Sequence, residues 1–95
     1  MLLESQYQRR LIRRIKKLYP GAVVLKSDPS YLQGIPDLLI LNGPNWAALE
    51  AKRSSKARVG PNQPYYVRKL NDMSFAAFVY PENEEEVLDA IQRAL

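Results

Sequence analysis

The sequence predicts one α/β domain in which helices flank a mixed four-stranded sheet, in the order αβββαβα. Three observations lead there. Apolar residues recur at helical spacing towards both ends of the chain, whereas the middle holds apolar runs of strand length separated by Gly, Pro, Asn and Ser. The run Ser74 to Tyr80 is nearly all apolar and reads as a strand covered on both faces, so helices must lie on both sides of the sheet. With 95 residues and no repeat or linker-like tract, the chain suffices for one core spanning residues 1–95.

The elements follow in order. Tyr7, Leu11, Ile15 and Leu18 form the apolar stripe of a helix from Glu4 to about Leu18, stopped by Pro20-Gly21. Ala22 to Leu25 is a short strand, and Ser27-Asp28-Pro29-Ser30 is turn material. Pro36 to Leu41 and Trp46 to Arg53 are two further strands, joined by Asn42-Gly43-Pro44-Asn45 as a four-residue hairpin loop. Prolines beside Asn62 suit the start of a second helix ending near Asn71. After the fourth strand, Asn83 and Glu86 resemble a capping box, and Val87, Leu88, Ile91 and Leu95 are the buried stripe of a last helix. Its three first-turn glutamates are accounted for by the helix macrodipole.

Composition excludes much chemistry. The chain has neither cysteine nor histidine, which removes disulfides, thiolate and imidazole metal sites, cysteine nucleophiles and Ser-His triads. The N-terminal MLLESQYQRR becomes charged at Glu4, too early for a signal peptide, and no later run is long enough to span a membrane; a soluble cytoplasmic protein is expected. The net charge of +4 is segregated: residues 1–69 carry thirteen Lys/Arg against four Asp/Glu, and residues 70–95 carry one against six. A basic face on a small domain is the footprint of a polyanion binder, above all nucleic acid.

Within that basic half, GIPDLLILNGPNWAALEAKR (residues 34–53) places acids inside two apolar runs. If Leu41 pairs with Trp46, opposed residues have numbers summing to 87 and Asp37 faces Glu50 on one side of the sheet. Their Cβ atoms would lie about 4.5–5.5 Å apart, so either one carboxylate holds a proton or a cation lies between them. Lys52, two residues beyond Glu50, shares that face and offers partial compensation. Glu4 points the same way as the apolar stripe of the first helix, so a third acid can approach. An all-oxygen set of this kind suits hard cations, Mg²⁺ above all with Mn²⁺ as substitute.

Pro36-Asp37 followed by Glu50-Ala51-Lys52 resembles the PD-(D/E)xK nuclease signature. The leading helix glutamate, Gly34-Ile35-Pro36-Asp37, Glu50-Ala51-Lys52 and Gln63 at the next helix start are similar, more narrowly, to the stand-alone virus-type VRR-Nuc domain. That resemblance implies a restriction-endonuclease-like core and a Holliday-junction-resolvase-like, metal-dependent endodeoxyribonuclease. It also implies roles: Asp37, Glu50 and the Ala51 carbonyl on the metal, Lys52 catalytic, Gln63 supporting, and Glu4 the additional acid. It implies a homodimer as well, because paired incision needs two sites, and a host cytoplasm if the chain is phage-encoded.

For the DNA track, the segment from Lys52 through Arg53, Lys56 and Arg58 reads as a basic, mobile loop leaving the site. Arg9, Arg13 and Lys16 on the first helix, and Arg68 and Lys69 on the second, extend it as phosphate contacts. Two other classes compete with the nuclease: a non-catalytic basic nucleic-acid-binding module whose acids form a structural network, and a small dimeric assembly factor.

Overall fold

The computed structural model describes residues 2–95. It contains α1 (Glu4–Leu18), β1 (Val23–Lys26), β2 (Leu38–Asn42), β3 (Asn45–Ala51), α2 (Gln63–Met73), β4 (Ala76–Val79) and α3 (Glu84–Ile91), the expected αβββαβα order. The strands form one sheet in the order β1-β2-β3-β4, antiparallel except for the parallel pair β3/β4 that α2 connects. No helix among the described residues is long and apolar enough to cross a membrane.

The sheet has two unlike faces, and strand alternation assigns each residue to one of them. Leu38 and Ile40 of β2 with Ala47, Leu49 and Ala51 of β3 are buried together with Tyr7, Leu11 and Ile15 of α1 and Val87, Leu88 and Ile91 of α3. The opposite face carries Leu39 and Leu41 of β2 and Trp46, Ala48 and Glu50 of β3. There α2 packs over β3 and β4, and β1 with β2 is left open. Val23 and Leu25, paired with Leu41 and Leu39, are consequently 52% and 45% exposed.

Several sequence expectations shift. Leu18 is exposed; the stripe of α1 continues instead through Tyr19, four residues after Ile15, whose side chain packs on the core. The hairpin loop is the two residues Gly43-Pro44, because Asn42 and Asn45 pair. Gly43 has φ +61, and proline fixes a negative φ after it, the pattern of a type II′ turn. Both strand ends that carry the acids are shorter than expected: β2 begins at Leu38, after Asp37, and β3 ends at Ala51, before Lys52. Asn83 stands at the N-cap of α3 without capping it. Its side chain turns back, accepting from the Tyr80 N–H at 2.9 Å and donating to the Phe78 carbonyl at 3.1 Å.

Glu84 does more than complement a dipole. It accepts the Tyr7 hydroxyl at 2.7 Å and pairs with Arg14, which also reaches Glu85 at 2.6 Å. Burial and that acceptor push the Tyr7 phenol far above its ordinary range. The contact latches α1 to α3 and fixes the helix that carries Gln8 to Asp37.

Candidate active site

Asp37 and Glu50 meet at the end of the β2/β3 ladder on the face shared with Trp46 and Ala48. Gln63, at the first turn of α2, reaches the same place. Asp37 is held twice: the Ala51 N–H donates to its Oδ1 at 3.0 Å and Gln8 Nε2 to its Oδ2 at 2.8 Å. Glu50 Oε1 accepts the Asp37 N–H at 3.2 Å, and its Oε2 accepts Gln63 Nε2 at 3.0 Å. Lys52 Nζ stands 3.6 Å from the same Oε2, and both side chains are buried. The lysine stays beside Glu50 because its main-chain N–H continues the ladder to the Val79 carbonyl at 2.8 Å.

Local structure explains why these groups converge. Ser27 clamps the approach to Asp37, its Oγ donating to the Pro36 carbonyl at 2.7 Å and its N–H to the Asp37 carbonyl at 2.9 Å. Gly34, at φ +90, lets the preceding loop lie flat on the start of α2, where an added Cβ would come within 2.5 Å of Asn62 Cβ. The loop that delivers Asp37 and the helix that delivers Gln63 are thus fitted to each other through one glycine. Gln63 is fixed at its far end by the Gly60 N–H, which donates to Oε1 at 2.8 Å. Gly34→Ala is expected to lower stability by about 1–3 kcal/mol, since it combines a disfavoured φ with a backbone clash. Thermal unfolding checks this, with Gly43→Ala as the milder control: it keeps the positive φ but meets no atom within 4 Å.

Electrostatics follow from burial. Desolvation, then the neighbouring Asp37 charge, push the Glu50 carboxyl up from 4.5 to about 7, with Lys52 opposing. Asp37 is also raised, mainly by burial; its bonds from Ala51 and Gln8 pull the other way, and Glu4 adds to the rise. A raised pair of acids is a site in which positive charge is under-supplied. Every buried side-chain nitrogen or oxygen among the described residues nevertheless has a hydrogen-bond partner.

The donor set fits a hard cation. Mg²⁺ is commonly bound through one or two carboxylates and keeps several waters, which matches two acids better than a closed cage. Each oxygen of Asp37 and Glu50 retains acceptor capacity beyond the bonds above. The Ala51 N–H faces Asp37, so its carbonyl, which shares that side of the strand, faces the same region. No group of three Asp, Glu, His or Cys among the described residues is placed to hold an ion. Glu4 is exposed at the first turn of α1. It lines the cavity of about 340 Å³ that contains Asp37 and Glu50, and also the neighbouring hollow formed with Lys52, Arg53 and Arg58.

Sequence reasoning missed two groups here. Gln8 lies one helical turn after Glu4, so the spacing that aimed Glu4 at the site could have indicated it. Lys26 also lines the acidic cavity, but only the β1/β2 register, set across a long loop, puts it there. Among the basic residues, Arg9, Arg13, Lys16, Arg53, Lys56, Arg58, Arg68 and Lys69 are all exposed. The loop after Lys52 is anchored where the sequence suggested mobility: Glu82 accepts the Ser55 N–H at 3.1 Å and its Oγ at 3.0 Å.

Comparison with known proteins adds a likeness in chain path. No family model matches the chain, and neither does any curated protein. Among solved structures, Hjc, a Holliday junction resolvase from Archaeoglobus fulgidus, is similar over 76% of this chain and 67% of its own, with 15% identity and a TM-score of 0.46. The chemistry assigned to the site therefore rests on its own residues.

Proposed function

We propose that the chain is a Mg²⁺-dependent endonuclease of the PD-(D/E)xK type, similar to stand-alone VRR-Nuc domains, acting on branched DNA such as Holliday junctions. One observation carries this reading: a buried Glu50 beside a half-buried Asp37, with a buried lysine 3.6 Å from Glu50, opening into a cavity on a basic domain. Asp37, Glu50 and the Ala51 carbonyl would hold the ion. When bound, it supplies Lewis acidity towards a phosphoryl oxygen and acidifies water. Gln63 and Gln8 fix the orientation of the two carboxylates. Lys52 brings positive charge to the point where the attacked phosphate becomes more negative. Glu4, exposed at the first turn of α1 and lining the same cavity, would be the additional acid.

Arg53 and Arg58, beside Lys52, would carry phosphates into the site, with Lys56, Arg9, Arg13, Lys16, Arg68 and Lys69 extending the track. Lys56→Ala with Arg58→Ala is expected to reduce the slope of log affinity against log salt by up to about 0.9 per lost phosphate contact, as read by fluorescence anisotropy. Paired incision requires two sites, so the active assembly is a two-fold homodimer; the uncovered apolar rows at Val23, Leu25, Leu39 and Leu41 support association, and sedimentation tests it.

The competing reading, a binding module with structural acids, is favoured by the complete internal hydrogen bonding of the buried groups. One gel separates them. Labelled four-way junction, flap, nicked duplex and single strand are incubated with Mg²⁺, Mn²⁺ or chelator. Metal-dependent incision of branched substrates, lost in Asp37→Ala, is expected; binding without incision under every condition would leave the module.

A further inference from the structure

Beside the acidic cavity lies a second hollow of about 330 Å³, bounded by Pro29, Gln33, Gly34, Pro61, Asn62 and Gln63. Pro29, Gly34 and Gln63 line both, so the two adjoin. Gln63 is the partition, its amide committed at one end to Glu50 and at the other to the Gly60 N–H.

The two hollows differ in chemistry. Glu4, Lys26, Asp37 and Glu50 line the first, whereas no charged side chain among the described residues lines the second. Its polar groups are carboxamides. Gln33 and Asn62 are both exposed, and Asn62 makes no cap hydrogen bond although it stands at the N-cap of α2. Two prolines provide apolar walls. Tyr31, 89% exposed, belongs to the same turn as Pro29, its N–H donating to the Asp28 carbonyl at 3.2 Å.

A phosphate seeks cations, and those lie on the other side of Gln63. A neutral, planar group with donors and acceptors along its edge is what carboxamides between proline rings can hold. Nucleobases are such groups: Asn and Gln pair with base edges through two hydrogen bonds, and an exposed aromatic offers a stacking face. The volume lies at the low end for ligand pockets, roughly 300–1,000 Å³, and so suits a single base.

Resting on the nuclease reading above, we propose that this hollow receives the unstacked base of a nucleotide adjoining the phosphate to be cut, with Gln33 and Asn62 holding its edge. A base within intact duplex must be unpaired and unstacked to enter, which is costly; at a branch point, flap or nick the cost is small. Preference for branched DNA then arises from base capture beside the site and not from duplex shape alone.

The test uses four-way junctions carrying a normal base, 2-aminopurine or an abasic residue at successive positions around the branch. In chelator, binding of the unaltered protein should raise 2-aminopurine fluorescence several-fold at one position, and Gln33→Ala with Asn62→Ala should abolish the rise. Alanine at 62 keeps the Cβ against which Gly34 packs. With Mg²⁺, the unaltered protein should cut the normal junction about tenfold faster than the abasic one, and the double variant should bring that ratio close to one. Fluorescence unchanged at every position, or a ratio near one in the unaltered protein, overturns the proposal. Enhanced fluorescence without incision in any metal would instead remove the nuclease reading and leave base capture standing.

Discussion

Glu50→Gln is expected to lower metal-supported incision by about a thousandfold or more and, in the same molecule, to flatten the dependence of stability on pH. On the proposed function, the first effect follows from losing one of the two carboxylates that would hold the ion, worth several kcal/mol of charge stabilisation, at about 1.4 kcal/mol per factor of ten. The second follows from the raised carboxyl of Glu50, about 7 when folded against 4.5. Between those values the folded chain holds a proton that the unfolded chain releases, so stability is fullest below about pH 4.5 and declines until about pH 7. The loss is on the order of 3 kcal/mol. Glutamine cannot titrate, so its denaturant midpoint should vary much less over that window, leaving the smaller contribution of Asp37. A variant that loses incision but keeps the wild-type pH profile would show that the charge at Glu50 does not carry the site's electrostatics. Retained incision would remove Glu50 from the chemistry.

Why the facing acids were visible in the sequence, and Gln8 and Lys26 less so, is a matter of range. The hairpin register is local: once Leu41 is set against Trp46, Asp37 lies opposite Glu50. Placing the loop at two residues instead of four changes nothing, because Asn42 and Asn45 obey the same pairing. Lys26 reaches the cavity through the β1/β2 pairing, whose loop of irregular turns carries no register information. Gln8 depends on how α1 is rotated against the sheet, and the Tyr7–Glu84 latch from the far end of the chain is part of what sets that rotation.

The fold shows the same division. Element order followed from periodicity and punctuation, while the errors cluster where tertiary contacts override local preference. Asn83 has capping chemistry, yet the end of β4 lies close enough for the Tyr80 N–H and Phe78 carbonyl to take both ends of its amide. The basic loop after Lys52 looked unconstrained because Glu82, which ties it, lies 27 residues further along. Val23 and Leu25 have the composition of buried strand residues, but α2 covers β3 and β4 and does not reach them.

Mg²⁺ added to the protein without DNA is expected to raise its unfolding temperature at pH 8 and to have little effect at pH 5. At pH 8, above its folded value of about 7, the buried Glu50 is charged beside the half-buried Asp37, an arrangement that costs stability until a cation is shared between them. At pH 5, below the folded value of about 7, Glu50 keeps its proton, and the ion must displace it to bind. A free ion at a hundred times its dissociation constant adds about 2.7 kcal/mol to the folded state. For a domain of this size each kcal/mol moves the midpoint by about 4–8 °C, so a shift of about 10 °C or more is expected at saturation. Asp37→Ala should abolish the shift, whereas Lys56→Ala, on the exposed loop, should not. An unfolding temperature indifferent to Mg²⁺ and Mn²⁺ at pH 8 would mean that Lys52, Gln63 and Gln8 already neutralise the pair sufficiently. The acids would then serve the architecture of the β2/β3 ladder and not hydrolysis.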